Sequence, residues 1–121
     1  MKPKKILIVE DERPIAQALE LKLTRSGLET KTVYDGEEAV KVLKEEKFDL
    51  ILLDLILPKR DGFVVLNDMK DLNISTPVIV LTNLSQEEDF KRAKSLGAKD
   101  YFVKSDISLS KIVSYINELL D

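Results

Sequence analysis

Apolar and polar positions along this chain follow two rhythms in alternation. The runs Ile6-Leu7-Ile8-Val9, Leu50-Ile51-Leu52-Leu53 and Val78-Ile79-Val80-Leu81 have the length and continuity of strands buried on both faces. Between them the apolar positions take helical spacing. Pro14 suits the first turn of a helix that reaches Ser26 and stops at Gly27. Thr30 to Val33 reads as a more polar strand, suited to a sheet edge. Asp35 and Glu38 have capping-box spacing, ahead of a buried stripe of Ala39, Val42 and Leu43. Pro58-Lys59-Arg60-Asp61-Gly62 is turn chemistry, after which Val65, Met69 and Leu72 keep helical spacing. Pro77 introduces the fourth strand. Ser85 and Glu88 predict a second capping box, with Phe90, Ala93 and Leu96 facing inward and Gly97 ending that helix. Tyr101-Phe102-Val103 is a fifth strand segment. Leu109, Ile112, Val113, Ile116, Leu119 and Leu120 mark the buried face of a last helix.

Five such alternations predict an α/β fold, a parallel sheet with helices on both faces. Right-handed crossovers and two-sided cover make 2-1-3-4-5 the natural strand order, with the switch point between strands one and three. In such sheets ligands bind where the carboxyl ends of the strands emerge. Glu10 and Asp11, Asp54, Thr82 and Lys104 each stand at the end of one of these segments. The pattern therefore carries three carboxylates, a hydroxyl and an ammonium to one rim. Singly, each has an ordinary reading, a cap, a strand-end hydroxyl or a solvated lysine, and Tyr101 alone is a half-buried strand aromatic. Their joint placement changes that.

Composition narrows the chemistry. The 121 residues suit one domain, 1–121, and a net charge of -3 leaves no basic footprint for direct nucleic-acid binding. The chain has no cysteine and no histidine, which excludes disulfides, thiol and imidazole catalysis, and a phosphohistidine of its own. Any metal must sit on oxygen, which favours magnesium, manganese or calcium. The basic start, Met1-Lys2-Pro3-Lys4-Lys5, is followed by only four apolar residues before Glu10, too few for a secretory signal. No segment has membrane-spanning length, so a cytoplasmic protein without membrane insertion is expected.

Carboxylates crowded together repel, and the usual outcome is a raised pKa or a bound cation. Magnesium wants oxygen ligands and keeps several waters. Asp11, Asp54 and a main-chain carbonyl just after Asp54, taken as that of Ile56, can supply the protein share, with Glu10 acting directly or through water. A carboxylate is also a nucleophile towards phosphorus, giving an aspartyl phosphate. Lys104 offers a mobile point charge to such a group and Thr82 a hydroxyl hydrogen bond. The parts for reversible phosphorylation of Asp54 are all present.

Val9-Glu10-Asp11-Glu12, Asp54-Leu55-Ile56-Leu57-Pro58 with Asp61-Gly62, Leu81-Thr82 and Lys104 together resemble the receiver domain of two-component response regulators, over essentially the whole chain. The resemblance implies a flavodoxin-like (βα)5 fold, with Asp54 as phosphoacceptor and Glu10 and Asp11 as the acidic pair for Mg2+. It also implies Thr82 as switch hydroxyl, Lys104 as phosphate-contacting lysine and Tyr101 as aromatic switch. The implied donor is a histidine kinase or histidine phosphotransfer protein. The implied output is a changed surface of helix four, strand five and helix five, read by a downstream effector or an output domain. Such a protein catalyses its own phosphorylation and is not a turnover enzyme. The end at Asp121, straight after the last helix, is compatible with a stand-alone regulator or with a receiver from a larger protein.

The chain departs from the family pattern in places. Ser105 follows Lys104 where the family usually has proline, commonly after a cis bond. A cis bond to a non-proline residue costs about 2.5–4 kcal/mol. The loop is therefore either trans and rearranged or strained. Asn83 stands where a very small residue is usual. Ile56 and Leu84 hold the two positions that tune phosphoryl hydrolysis, and both are apolar, so slow self-dephosphorylation is expected. Two other readings are weaker. A haloacid-dehalogenase-like phosphatase needs a second carboxylate two residues after the nucleophile, where this chain has Ile56. A degenerate receiver that only docks partners fits poorly with an intact Asp54, Thr82 and Lys104. Neither a P-loop nor a GxGxxG segment is present for nucleotide binding.

Overall fold

The computed structural model describes residues 2–121. Strands β1 (Lys5–Val9), β2 (Glu29–Val33), β3 (Leu50–Leu53), β4 (Val78–Thr82) and β5 (Asp100–Val103) alternate with helices α1 (Arg13–Arg25), α2 (Gly36–Glu45), α3 (Gly62–Asp71), α4 (Glu87–Ser95) and α5 (Leu109–Leu120). All neighbouring strands pair in parallel, in the order β2-β1-β3-β4-β5. The predicted order is the observed one.

Strand alternation divides the core in two, because successive side chains point to opposite faces. Ile6, Ile8, Leu50, Leu52, Ile79 and Leu81 pack with Leu19 and Leu23 of α1 and Ile112, Val113 and Ile116 of α5. Leu7, Val9, Ile51, Leu53, Val78 and Val80 pack on the other face with residues of α2, α3 and α4. The centre strands are apolar throughout because both faces are covered. β2 lies at the edge and is exposed or half-buried except at Val33. Among the described residues no helix is long and apolar enough to cross a membrane.

Local signals explain most boundaries. Asp35 caps α2 through the Glu38 amide and Asp61 caps α3 through the Val64 amide, at 2.7 and 2.9 Å. Gly27 and Gly97 take φ of 94° and 105°, the left-handed conformation that ends α1 and α4. Two expectations fail in α4. The helix begins at Glu87, and its N-cap Gln86 makes no side-chain cap bond, so the Ser85–Glu88 box does not form. Glu87, Glu88 and Asp89 fill the first turn instead, where negative charge suits the helix dipole. Phe90 does not face inward. It is 43% exposed and stands edge-on to the Tyr101 ring, while Ala93 alone of this helix is fully buried. Leu72, spaced as though on the inner face of α3, falls at its C-cap and is exposed.

Candidate functional site

β-Sheet register brings the acidic groups together. Val9 pairs with Leu53, and the Asp54 amide donates to the Val9 carbonyl at 3.0 Å, so Glu10 and Asp54 leave the sheet side by side. Both are buried, Glu10 at 2% exposure and Asp54 at 4%. Glu10, Asp11 and Asp54 each offer a carboxylate oxygen, all within 4.8 Å of one another. An all-oxygen, strongly acidic donor set of this kind suits a hard divalent cation. Burial pushes the Glu10 carboxyl up to about 7; Lys104 and the Glu12 amide oppose the rise and the Asp54 charge adds to it.

Lys104 comes from the far side of the sheet. It opens a 3-10 turn, Lys104–Asp106, directly after β5. The described residues contain no cis peptide bond, so Lys104–Ser105 is trans and the turn is the rearranged alternative. The lysine still reaches the acidic trio. Its Nζ lies 2.8 Å from Glu10 Oε1, 2.8 Å from Asp54 Oδ2 and 3.0 Å from Glu12 Oε2. Burial works to lower its pKa, but its bonds to Asp54 and Glu10 outweigh that and hold the ammonium above its ordinary range. The remaining oxygen, Asp54 Oδ1, accepts from the Ile56 amide at 3.2 Å, while the Ile56 side chain is half exposed.

The loop after Asp54 is held tightly against α3. The Gly62 amide donates to the Leu55 carbonyl at 2.9 Å. A Cβ at position 62 would stand 2.5 Å from the Asp54 carbonyl oxygen, which only glycine avoids.

Thr82 ends β4 and is wholly buried; its Oγ1 accepts from the Leu84 amide at 3.4 Å. In the β4–β5 register Thr82 pairs with Val103, the residue before Lys104. Asn83 is exposed and Leu84 half-buried. Tyr101 donates its hydroxyl to the Leu84 carbonyl at 2.7 Å and packs its ring on Phe90, which links β5, the β4–α4 loop and α4. Burial, with the charges of Asp89 and Asp54, raises the Tyr101 phenol to about 12.

Sequence reasoning missed Glu12 as a member of the site. The only sign of it was a third acidic residue in Glu10-Asp11-Glu12. Its tie to Lys104 spans 92 positions along the chain, which spacing alone does not disclose.

Known proteins place this arrangement. The family model described as the response regulator receiver domain matches residues 6–117. The alkaline phosphatase synthesis transcriptional regulatory protein PhoP of Bacillus subtilis (strain 168) is 44% identical over 101 residues, 84% of this chain and 42% of PhoP. The chain thus spans less than half the length of the curated relatives it matches. A solved receiver domain, that of the Francisella response regulator 1452, is 31% identical with a TM-score of 0.89, covering 96% of this chain and 95% of that one. The phosphorylated cyanobacterial phytochrome response regulator RcpA is 34% identical with a TM-score of 0.83, covering 97% and 91%. This chain belongs to the response regulator receiver domain family of two-component signalling.

Proposed function

We propose that residues 1–121 act as one receiver module that takes a phosphoryl group on Asp54 from a phosphohistidine of a histidine kinase or histidine phosphotransfer protein. The observation that carries this reading is the setting of Asp54. It is a buried carboxylate with Lys104 on one oxygen, a main-chain amide on the other and two further carboxylates beside it. An Asp54 oxygen attacks phosphorus as the phosphorus–nitrogen bond breaks. The electron pair stays on the leaving imidazole nitrogen, and no base in this chain is needed.

Glu10, Asp11, Asp54 and the Ile56 carbonyl would hold Mg2+. The bound ion supplies positive charge against the phosphoryl oxygens, the main requirement of such a transfer. Lys104 adds a second, movable charge. Thr82 offers its hydroxyl to a phosphoryl oxygen, and the β4–α4 loop follows it. Through the Leu84 carbonyl the loop holds Tyr101, and through Tyr101 it holds Phe90, so α4, β5 and α5 present an altered face to an effector or output domain. Moving a two-state element of this sort from 1:99 to 99:1 takes about 5.5 kcal/mol of differential interaction. The chain accepts a group rather than turning over substrate, and works in the cytoplasm.

Incubation with a small acyl-phosphate donor and magnesium should add the mass of one phosphoryl group to the intact protein. A chelator-treated sample should gain none. Uptake that ignores the chelator would refute the metal's part, and no uptake in either sample would refute the function.

The apolar pair Ile56 and Leu84 implies a long-lived product, since neither side chain can orient an attacking water. Replacing Ile56 with Asn, or Leu84 with Gln, should shorten the phosphoryl half-life several-fold when decay is followed by mass. Equal lifetimes would mean that water is governed from elsewhere.

A further inference from the structure

We propose that Glu12 is a positioning residue that restrains Lys104, so that charging of Asp54 is slowed until their ion pair opens. The inference rests on the reading of Asp54 as acceptor, but its structural half is independent of it.

Glu12 is the N-cap of α1 and has an extended backbone, yet its side chain makes no capping bond. A carboxylate there sits beside unsatisfied helix amides. Its Oε2 instead lies 3.0 Å from Lys104 Nζ. The backbone beneath is fixed at both ends, the Glu12 amide donating to Glu10 Oε2 at 3.0 Å and its carbonyl accepting from Ala16 at 3.0 Å. Only the side chain is free to swing.

An ammonium has three N–H donors; that of Lys104 donates to Glu12 and Asp54 and stands 2.8 Å from a Glu10 oxygen, so three carboxylates crowd around it. A phosphoryl oxygen has to compete with them for an N–H. In the transfer, an oxygen–phosphorus bond forms on Asp54 and the donor's bond to phosphorus breaks, its electron pair leaving with the donor. Lys104 must then turn an N–H towards the new group. Glu10 and Asp54 are buried, whereas the Glu12 side chain is 48% exposed. The Glu12 contact is therefore the one that water can replace most cheaply.

The test compares wild type, Glu12→Gln, Lys104→Gln and the double variant, with an acyl-phosphate donor and magnesium and intact mass as readout. Glu12→Gln should take up phosphoryl about two- to fivefold faster, the range of a half-exposed ion pair. That gain should vanish near 1 M salt, where the screening length falls to about 3 Å. It should also vanish in the Lys104→Gln background. An unchanged or slower Glu12→Gln overturns the proposal. So does an equal gain without Lys104, which would mean general repulsion of an anionic donor. In the unphosphorylated protein, NMR of the Lys104 ammonium should show faster proton exchange with water in Glu12→Gln, and unchanged exchange overturns the restraint. If wild type takes up no phosphoryl group, the acceptor reading fails while the exchange measurement still decides the ion pair.

Discussion

Asp54→Asn is expected to leave the chain unable to gain a phosphoryl group, and to make its metal-free fold more stable. An amide oxygen is a poor nucleophile towards phosphorus, and the substitution is nearly isosteric, so the pocket should stay intact around it. The stability gain has a separate cause. Asp54 adds repulsion to a buried Glu10 whose carboxyl is already pushed up to about 7. Lys104 keeps Glu10 and Glu12 as partners when Asp54 is neutralised, so no buried charge is orphaned. Removing one negative charge from the cluster should then raise stability by about 0.5–2 kcal/mol, the trade often found where a site is arranged for function. Intact mass after acyl-phosphate treatment checks the first half and urea denaturation the second. Uptake at the wild-type rate would mean that Glu10 or Asp11 is the acceptor.

Lys104→Met should do the opposite to the fold. It removes the cation that touches both buried carboxylates at 2.8 Å. Breaking a buried pair from one side typically costs about 3–5 kcal/mol. The loss should depend on pH in a stated direction. Without the ammonium, Glu10 moves further above its ordinary value of 4.5, and its folded form binds a proton more tightly than its unfolded form. Stability from such a group is present below the unfolded pKa and disappears as pH rises through the folded one. The variant should therefore lie close to wild type near about pH 5 and fall well below it near about pH 8. Saturating magnesium should recover part of the deficit, because a ligand of the folded state alone stabilises it. A deficit that is the same at both pH values would assign the lysine a packing role rather than an electrostatic one.

Both outcomes turn on features of unequal legibility. The sheet order and the acidic trio could be read from the chain, because apolar runs locate strands and strand ends converge at one rim. Asp54 and Glu10 are neighbours by register, and Lys104 arrives from two strands away. What escaped was decided by side-chain reach. Glu12 stands inside the run Val9-Glu10-Asp11-Glu12, but its link to Lys104 spans 92 positions and depends on the turn that opens at Lys104. Phe90 has inward spacing on a helix of nine residues, where an error of about half a turn in register moves a residue to the other face. The bond from Tyr101 to the Leu84 carbonyl shapes the loop just ahead of that helix, and no capping pattern signals it.

The polar outer strand carries a consequence for how the molecule behaves in company. β2 reads Glu29-Thr30-Lys31-Thr32-Val33 and pairs on one side with β1. Its other side presents unpaired peptide groups, the usual template for adding a strand from a second molecule. Charged and hydroxylated side chains along that margin, with Lys31 tied to Glu46, make a growing stack unfavourable. The same margin that marks the end of the sheet thus also discourages one copy of the domain from extending the sheet of another.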